Sequence, residues 1–216
     1  LIESGSRAWK FNSKDSDYDI RGVYIQDHNV LKNLPDQLDY TTSIIDIYKG
    51  KMLELDIVLW DLKKFLNLMS KSNPSTWEWL SSNIIYMNNP LRRKLRKEFI
   101  TNGNLHVLSY HYLSMAKQNY QKYIKQQIKE VNIKKYLYVL RSLACVNYIF
   151  VNNTPPPKEY DKCIDLFPDE IKEFIQDCIS MKKKSEKTFI DRNKEVDAYI
   201  EQMFKIQLTC LNLYGI

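Results

Sequence analysis

Carboxylates near the start of the chain are the residues with the clearest capacity for chemistry. The stretch "DSDYD" ends at Asp19 and leads into the strand-like run "IRGVYI". Because alternate side chains of a strand share a face, Asp17 and Asp19 are expected to point the same way. Their like charges repel, and a divalent cation such as Mg²⁺, which prefers carboxylate oxygens, would offset that repulsion. The alternative interpretation is an Asp-rich turn.

Two further segments favour the metal interpretation. Gly5 and Ser6 in "SGSRA" stand at a predicted strand-to-helix junction, where the hydroxyl and nearby backbone N–H groups could hold phosphate oxygens. In "LELDIVLW", Glu54 and Asp56 alternate with apolar residues, so a neighbouring strand would bring a third carboxylate to the cluster. Alternation does not separate Glu54 from Asp56. Three converging carboxylates can hold two Mg²⁺ ions for in-line phosphoryl chemistry.

The elements that must position these residues form a strand-rich first part of the chain. The segments "IRGVYIQ", "TTSIIDIY" and "KMLELDIVLW" are predicted strands, and a tight turn at Lys49-Gly50 is predicted to join the last two. From about Val58 the apolar spacing becomes helical, and the pattern stops near Pro74. A short helix follows, for which Ser75 is the predicted N-cap.

The rest of the chain is predicted to be almost entirely helical. Pro90 starts a helix that Asn102 and Gly103 end. Further helices are predicted at about 105–129, 132–151, 168–184 and 191–212, and "PPP" forms a stiff connector between the second and third of them. The fold class expected is therefore α+β. A domain with a small mixed sheet and helices covers about 1–100, and an all-helical domain covers about 101–216.

Composition argues against several classes of protein. With 216 residues, 44% of them hydrophobic and 12% aromatic, the chain can bury a sizeable core and is not expected to be disordered. It has no apolar run long enough to span a bilayer and no secretory signal pattern, so a cytoplasmic location is expected. Because it starts at Leu1 rather than Met, we expect it to begin inside a longer protein. The four scattered cysteines favour buried free thiols, and a zinc site is not expected.

The charge is unevenly spread along the chain. Up to Val58 there are 10 acidic and 7 basic residues, a net charge of −3, and the remainder carries 16 acidic and 25 basic residues, a net charge of +9. This asymmetry indicates a cleft that holds cations on one wall and polyanions on the other. Frequent surface lysine is an equally good explanation.

The spaced combination of motifs resembles one protein family. The block "GSRAWKFNSKDSDYDIRGVYI" is similar to the motif of DNA polymerase β-like nucleotidyltransferases, and more narrowly to the YcgL-like or RlaP-like predicted nucleotidyltransferases. A second block, "ELDIVLWDLKKFLNLMSKSNPSTWEWL", resembles the family's next motif. The segments "SMAKQNY" and "KKYLYVLR" resemble its helical part. The resemblance covers roughly residues 2–166.

This resemblance implies a role for several residues. Asp17 and Asp19 match the metal-binding pair, and Asp56 matches the third carboxylate, which helps the attacking hydroxyl lose its proton. Arg21 would brace the carboxylates or meet a phosphate. The remaining matches are those expected to hold the nucleotide phosphates: Gly5, Ser6 and Arg7. The family usually has a glycine where this chain has Lys10, and a positive φ there would strain a lysine.

The helical half offers further candidates for nucleotide binding. Lys134, Tyr138 and Arg141 fall on one face of a helix beside an apolar stripe, and together they suit phosphates and a base. The alternative is a solvated amphipathic helix face. The "KKK" run at Lys182–Lys184 is predicted to be a solvated helix end.

The reaction that the resemblance implies is Mg²⁺- or Mn²⁺-dependent transfer of an NMP from an NTP, such as ATP, to an acceptor hydroxyl on RNA or tRNA. A protein acceptor, as for antitoxin-like enzymes, and a small-molecule acceptor are alternatives. A non-catalytic nucleotide- or RNA-binding module is a further one, for which Lys10 would be the sign of lost activity. No membrane partner is expected.

Overall fold

The computed structural model describes residues 1–14, 16–25, 40–48, 51–185 and 187–214. They form two compact units, one of Leu1–Lys10 with Ser16–Gly103 and the other of Phe11–Asp15 with Asn104–Ile216. The first unit contains a mixed sheet with helices and the second is mostly helical. The α+β class expected from the sequence is therefore confirmed, while the predicted domain boundary near residue 100 stays a prediction.

A four-stranded mixed sheet forms the centre of the first unit. Its strands are β1 (Ile2–Glu3), β2 (Tyr18–Tyr24), β3 (Tyr40–Tyr48) and β4 (Lys51–Asp61), in the order β1-β2-β4-β3. Strands β2 and β4 are parallel, and the other two pairings are antiparallel. The predicted strands are thus confirmed, whereas the turn predicted at Lys49-Gly50 lies outside the described residues.

Four helices accompany this sheet: α1 (Gly5–Ala8), α2 (Leu62–Ser70), α3 (Pro74–Ser81) and α4 (Pro90–Asn102). The helix predicted from about Val58 is wrong at its start, because Val58 to Asp61 pair with β2 and so extend β4. Asp61 then caps α2, as its side chain accepts from the Lys63 N–H at 2.8 Å. The limits predicted for α4 are confirmed.

The predicted cap of α3 is also wrong. Asn73 rather than Ser75 is the N-cap, since its side-chain oxygen accepts a hydrogen bond from the Ser75 N–H at 2.9 Å. Pro74 occupies the first helical position, where its missing N–H costs nothing. Aromatic packing holds this helix in place, because the Trp79 ring stacks on Trp60 with centroids 4.0 Å apart.

The second unit is built around a buried central helix. Its helices are α5 (Leu105–Tyr120), α6 (Ile133–Asn152), α7 (Asp169–Lys184) and α8 (Lys194–Tyr214), and α6 packs against the other three. The predicted apolar stripe of α6 is confirmed as core, because these side chains are fully buried: Ile133, Leu137, Leu140 and Ala144. Phe11 joins this core through an edge-on contact with Tyr160, at a centroid distance of 5.8 Å.

A short strand pair in this unit was not predicted. Strands β5 (Glu130–Asn132) and β6 (Phe189–Asp191) pair antiparallel. The helix predicted over 105–129 ends earlier, in a π-helical turn at Gln121–Lys125, and the last helix begins after β6, at Lys194 rather than 191. Two- and three-residue pairings leave almost no periodic signal in a sequence.

The "KKK" run is only partly the solvated helix end that was predicted. Lys183 and Lys184 are exposed, but Lys182 is fully buried, with its Nζ 5.7 Å from the centroid of the Phe11 ring. The four cysteines are free, as expected, and three of them are buried. Among the described residues, no helix is both long and apolar enough to cross a membrane.

Candidate functional site

Two carboxylates and an arginine meet across the parallel strands of the mixed sheet. The register of β2 against β4 places Asp19 directly opposite Asp56. Arg21, two residues further along β2, shares their face. Its Nη2 donates to Asp19 Oδ1 and to Asp56 Oδ2, each at 2.8 Å. Its Nη1 donates to the Asp56 carbonyl at 2.6 Å, so the guanidinium fixes both the strand and the carboxylate of Asp56.

This cluster keeps a net negative charge. One guanidinium offsets only one of the two carboxylate charges. The side chains of Asp19 and Asp56 are 27% and 38% exposed, whereas that of Arg21 is 16% exposed. The carboxylates are therefore accessible from solvent, and the arginine braces them from a more buried position.

Gly5 allows the Asp19 carboxylate to lie against the chain at the start of α1. Its φ is +55°, and a Cβ at this position would be 1.9 Å from Asp19 Oδ2. The Ser4 N–H also donates to the Asp19 carbonyl at 2.8 Å. Glycine is required here for both its conformation and its lack of a side chain. The predicted strand-to-helix junction is confirmed, with Ser6 buried inside α1.

Glu3 is a buried residue behind Asp19 that the sequence analysis missed. Its side chain is fully buried, and its Oε1 accepts from the Asp19 N–H at 2.8 Å. The Tyr86 hydroxyl donates to Glu3 Oε2. Burial raises the pKa of Glu3, although these two hydrogen bonds act in the opposite direction. Burial and the neighbouring Glu3 carboxylate also raise the pKa of Tyr86. No sequence motif marks Glu3, since a lone glutamate in a two-residue strand has no pattern.

Asp17 lies in a different position from Asp19. Strand β2 begins at Tyr18, so Asp17 precedes it, and its side chain is exposed. Arg7 holds this segment by donating to the Asp17 carbonyl at 3.1 Å and to the Ser16 carbonyl at 2.6 Å. Its guanidinium also lies 3.8 Å from the Tyr18 ring centroid. The assumption that Asp17 lies in the strand was wrong, because the pairing of β2 starts one residue later.

The third carboxylate is distinguished by register. Glu54 is exposed and lies just before the part of β4 that pairs with β2, which starts at Leu55. Asp56 is the residue that meets Arg21. Within the described part of the chain, no group of three His, Cys, Asp or Glu side chains is placed to hold a metal ion. The structure thus brings together two of the three predicted carboxylates.

Lys10 has the backbone conformation for which glycine is suited. Its φ is 66°, and its N–H donates to the Arg7 carbonyl at 3.2 Å, just beyond the end of α1. The preceding residue, Trp9, donates from Nε1 to Glu78 Oε2 at 3.3 Å. Glu78 is buried in α3, and so this contact links α1 to α3.

The three candidates on α6 lie in the second unit. Lys134 is half-buried, with its Nζ 5.8 Å from the Tyr138 ring centroid. Tyr138 in turn lies 6.4 Å from the Phe11 ring. Arg141 is only 4% exposed, so it is part of the interior and not of a solvated face. The alternative interpretation, a solvated helix face along these three positions, is therefore wrong for Arg141. The role of the three residues in nucleotide binding stays a prediction.

Comparison with known proteins identifies the family. Residues 1–213 match the model of the RlaP family, described as the RNA repair pathway DNA polymerase beta family, and the chain belongs to it. The uncharacterized protein YcgL of Bacillus subtilis (strain 168) is 35% identical over 202 residues, which are 90% of this chain and 73% of that protein. The resemblance inferred from the motifs is confirmed, and this is a nucleotidyltransferase-like protein.

One solved structure also matches. It is a nucleotidyltransferase-like protein from Exiguobacterium sibiricum 255-15, with 13% sequence identity and a TM-score of 0.30. The match covers 97% of this chain and 66% of that one, so this chain spans slightly less than two thirds of its length.

Proposed function

We propose that this nucleotidyltransferase-like protein transfers an NMP from an NTP to an acceptor hydroxyl on RNA or tRNA, in a reaction that depends on Mg²⁺ or Mn²⁺. The observation that carries the proposal is the pairing of Asp19 with Asp56 across parallel strands, on one face and partly open to solvent. Gly5 brings the start of α1 against the same carboxylate.

The donor set fits a magnesium ion. Mg²⁺ in proteins is usually held by one or two carboxylates together with substrate phosphates, so a full protein cage is not needed. Asp19 and Asp56 would supply those carboxylates, and Asp17 would join them in the three-carboxylate arrangement of the family. When bound, the metal stabilises charge on the entering and leaving oxygens.

The chain's own residues mainly position the reactants in this proposal. Ser6 and the backbone N–H groups near Gly5 hold the terminal phosphates, and Arg7 fixes the segment that carries Asp17. Asp56 accepts the proton of the acceptor hydroxyl. The acceptor oxygen then bonds to the α-phosphorus, the bond from that phosphorus to the bridging oxygen breaks, and pyrophosphate leaves. Arg21 keeps both carboxylates in place throughout.

A non-catalytic nucleotide-binding module is the second candidate. Two observations favour it. Arg21 forms ion pairs with both carboxylates, which reduces their net charge, and Lys10 takes a conformation in which glycine is usual. Neither removes a carboxylate from the site. A protein acceptor in place of RNA is the other alternative, and the experiment below separates all three.

The experiment is label transfer from each α-³²P-labelled NTP, with Mg²⁺ and then with Mn²⁺. Pooled small RNA and cell protein are offered separately as acceptors. Asp19→Asn and Asp56→Asn are expected to lose transfer by about 100-fold or more, because each removes a carboxylate from the reacting centre. Glu54→Gln is the matched control, since it neutralises an exposed acid on the same strand.

Each result has a distinct meaning. Label in RNA that disappears in the two Asp variants and persists in the control supports the proposal. Label in protein alone selects the protein acceptor. Nucleotide binding without transfer to any acceptor establishes the non-catalytic module. Equal loss in Glu54→Gln and Asp56→Asn contradicts the special role given to Asp56.

A further inference from the structure

The second unit carries a strongly basic surface around its small strand pair. Strands β5 and β6 join residues 121–135 to residues 187–194, through the register Glu130↔Asp191 and Asn132↔Phe189. The Arg192 N–H extends this pairing by donating to the Lys129 carbonyl at 2.7 Å. We call these two segments the strand-pair surface. All of their residues are described.

Positive charge dominates this surface. Its acidic residues are Glu130 and Asp191, against eight basic ones: Lys122, Lys125, Lys129, Lys134, Lys135, Lys187, Arg192 and Lys194. Ion pairs with Glu201 and Asp197 offset two of these charges, those of Lys125 and Arg192. The excess that remains attracts a polyanion.

The N-terminus of α6 adds to this positive potential. The first turn of α6 has no acidic residue and instead has Lys134 and Lys135. A helix N-terminus carries a partial positive charge, which adds to the charge of these lysines. A phosphate beside this turn would offset the charges of the lysines and of the helix together.

Aromatic side chains lie among these charges. Lys135 Nζ is 3.8 Å and Lys122 Nζ 5.0 Å from the centroid of the Tyr123 ring. The hydrogen bond with Lys122 and the charges of both lysines lower the pKa of Tyr123. Phe189, in β6, is 56% exposed. Tyr123 itself is half-buried. Lysines for the backbone and aromatic rings for the bases are the combination that binds single-stranded nucleic acids.

The surface is concave on one side. An open cavity of about 490 Å³ is lined by residues of both segments and of α8, and its charged lining residues are three basic and three acidic ones: Lys129, Arg192, Lys194, Asp191, Asp197 and Glu201. Ile128 is 93% exposed and adds an apolar contact beside the lysines. A base that has left its stack could enter such a space, whereas a duplex keeps its bases inside.

We propose that the strand-pair surface binds single-stranded RNA, with its lysines on the phosphates and Phe189 and Tyr123 stacked on bases. This inference deepens the proposed function, because it gives the acceptor a binding surface of its own in the second unit. It rests on the proposed function for the choice of RNA. An acidic protein segment would match the charge but would not need the exposed ring of Phe189.

The test measures binding of a fluorescently labelled single-stranded RNA of about 20 nucleotides over a range of salt concentrations. The variant Lys122→Ala/Lys129→Ala/Lys194→Ala removes three exposed charges. It is expected to reduce the slope of log affinity against log salt by about 2, since each phosphate contact to a single strand contributes about 0.7. The matched control, Arg93→Ala/Lys94→Ala/Lys97→Ala on α4, removes the same charge elsewhere and is expected to change the slope by less than about 1.

A second variant tests stacking separately from charge. Phe189→Ser is expected to weaken RNA binding about tenfold at every salt concentration without changing the slope. Val151→Ser, which truncates another exposed apolar side chain of this unit, is its control and is expected to bind as the wild type does. Unchanged thermal unfolding midpoints would show that all four variants keep their fold.

Three results would overturn the inference. One is equal loss of affinity in the two triple variants, which would indicate net charge alone. Another is equal binding of RNA and of base-free polyphosphate, which would show that the bases are not contacted. The third is tight binding to an acidic protein segment and not to RNA. Label transfer by the same variants distinguishes this inference from the proposed function. RNA binding by this surface without NMP transfer leaves the inference standing and refutes the function. Transfer to RNA that is unchanged in Lys122→Ala/Lys129→Ala/Lys194→Ala and in Phe189→Ser leaves the function standing and refutes the inference.

Discussion

Asp19 and Asp56 lie opposite each other on parallel strands, and a single nitrogen of Arg21 donates to both carboxylates at 2.8 Å. Their separation along the chain is large, so this arrangement depends on the pairing of β2 with β4. It makes Arg21 the internal counter-ion of the site. The same position between two carboxylates is where a divalent cation would be most stabilising.

Removal of Arg21 should therefore make the stability of the protein depend on Mg²⁺. We expect Arg21→Ala to lower the free energy of unfolding by about 2 kcal/mol, because two partly exposed carboxylates lose their counter-ion. Mg²⁺ should restore more stability to this variant than it adds to the wild type. Urea unfolding with and without Mg²⁺ measures both effects.

The double variant Arg21→Ala/Asp56→Asn is the control for this effect. It has only one carboxylate left at the site, and its gain from Mg²⁺ should be small. An equal gain from Mg²⁺ in the wild type, Arg21→Ala and the double variant would show that the ion does not bind between Asp19 and Asp56.

Gly5→Ala should disturb Asp19 directly. The new Cβ would meet the Asp19 carboxylate, and alanine disfavours a φ of +55°. We expect a loss of about 2 kcal/mol in the free energy of unfolding and loss of NMP transfer. Gly22→Ala is the control, because its Cβ would meet only movable side-chain ends of Leu1 and Leu59. Retained transfer in Gly5→Ala, measured by the label assay, would contradict the close packing seen here.

Glu3 should make stability depend on pH. Burial raises its pKa in the folded protein, so the folded state binds more protons than the unfolded state above the ordinary glutamate pKa. The wild type should thus lose stability relative to Glu3→Gln as the pH rises from about 4 through the folded pKa. Urea unfolding of both proteins across this range provides the test, and parallel stability curves would rule out the titration of Glu3.

Tyr86→Phe should strengthen the pH-dependence of stability that Glu3 causes. It removes the hydroxyl that donates to Glu3 Oε2, which leaves the buried charge with less compensation. We expect a loss of about 1–2 kcal/mol at neutral pH and a smaller loss in acid, where Glu3 is protonated. In the Glu3→Gln background this pH-dependence should vanish. A loss that is the same at all pH values would indicate packing of the ring alone.

Lys10→Gly should stabilise the first unit. The backbone at this position is left-handed, with φ at 66°, which costs a lysine about 1 kcal/mol relative to glycine. Lys10→Ala removes the same charge and keeps the strain, so it should bring no gain in the thermal unfolding midpoint. A matched loss of NTP affinity in both variants would show that the Lys10 ammonium contacts the phosphates. Higher transfer activity in Lys10→Gly alone would connect the strain to activity.

Local rules accounted for much of the fold. Pro90 and Gly103 bound α4 as predicted, because the first position of a helix tolerates a missing N–H and its end favours a turn residue. The apolar stripe of α6 became the core of the second unit, since helical spacing places these residues on one face. The spaced combination of motifs, which includes the block from Gly5 to Ile25, indicated the family.

Tertiary contacts decided the details of the site. Alternation along β4 could not separate Glu54 from Asp56, whereas the register with β2, which begins at Leu55, places Asp56 opposite Asp19. The same pairing extends β4 to Asp61, although the spacing of apolar residues is helical from about Val58. Strand register is a relation between distant segments, and no local pattern in either segment contains it.

Burial was likewise decided only by packing. Lys182 lies in a run of three lysines, yet it alone is enclosed beside Phe11, and Glu3 is enclosed behind Asp19. A sequence records the type and order of residues, and these determine motifs, helix limits and apolar faces. Which charged side chain lies inside, and what lies opposite it, depends on the neighbours that the folded chain brings from far along the sequence.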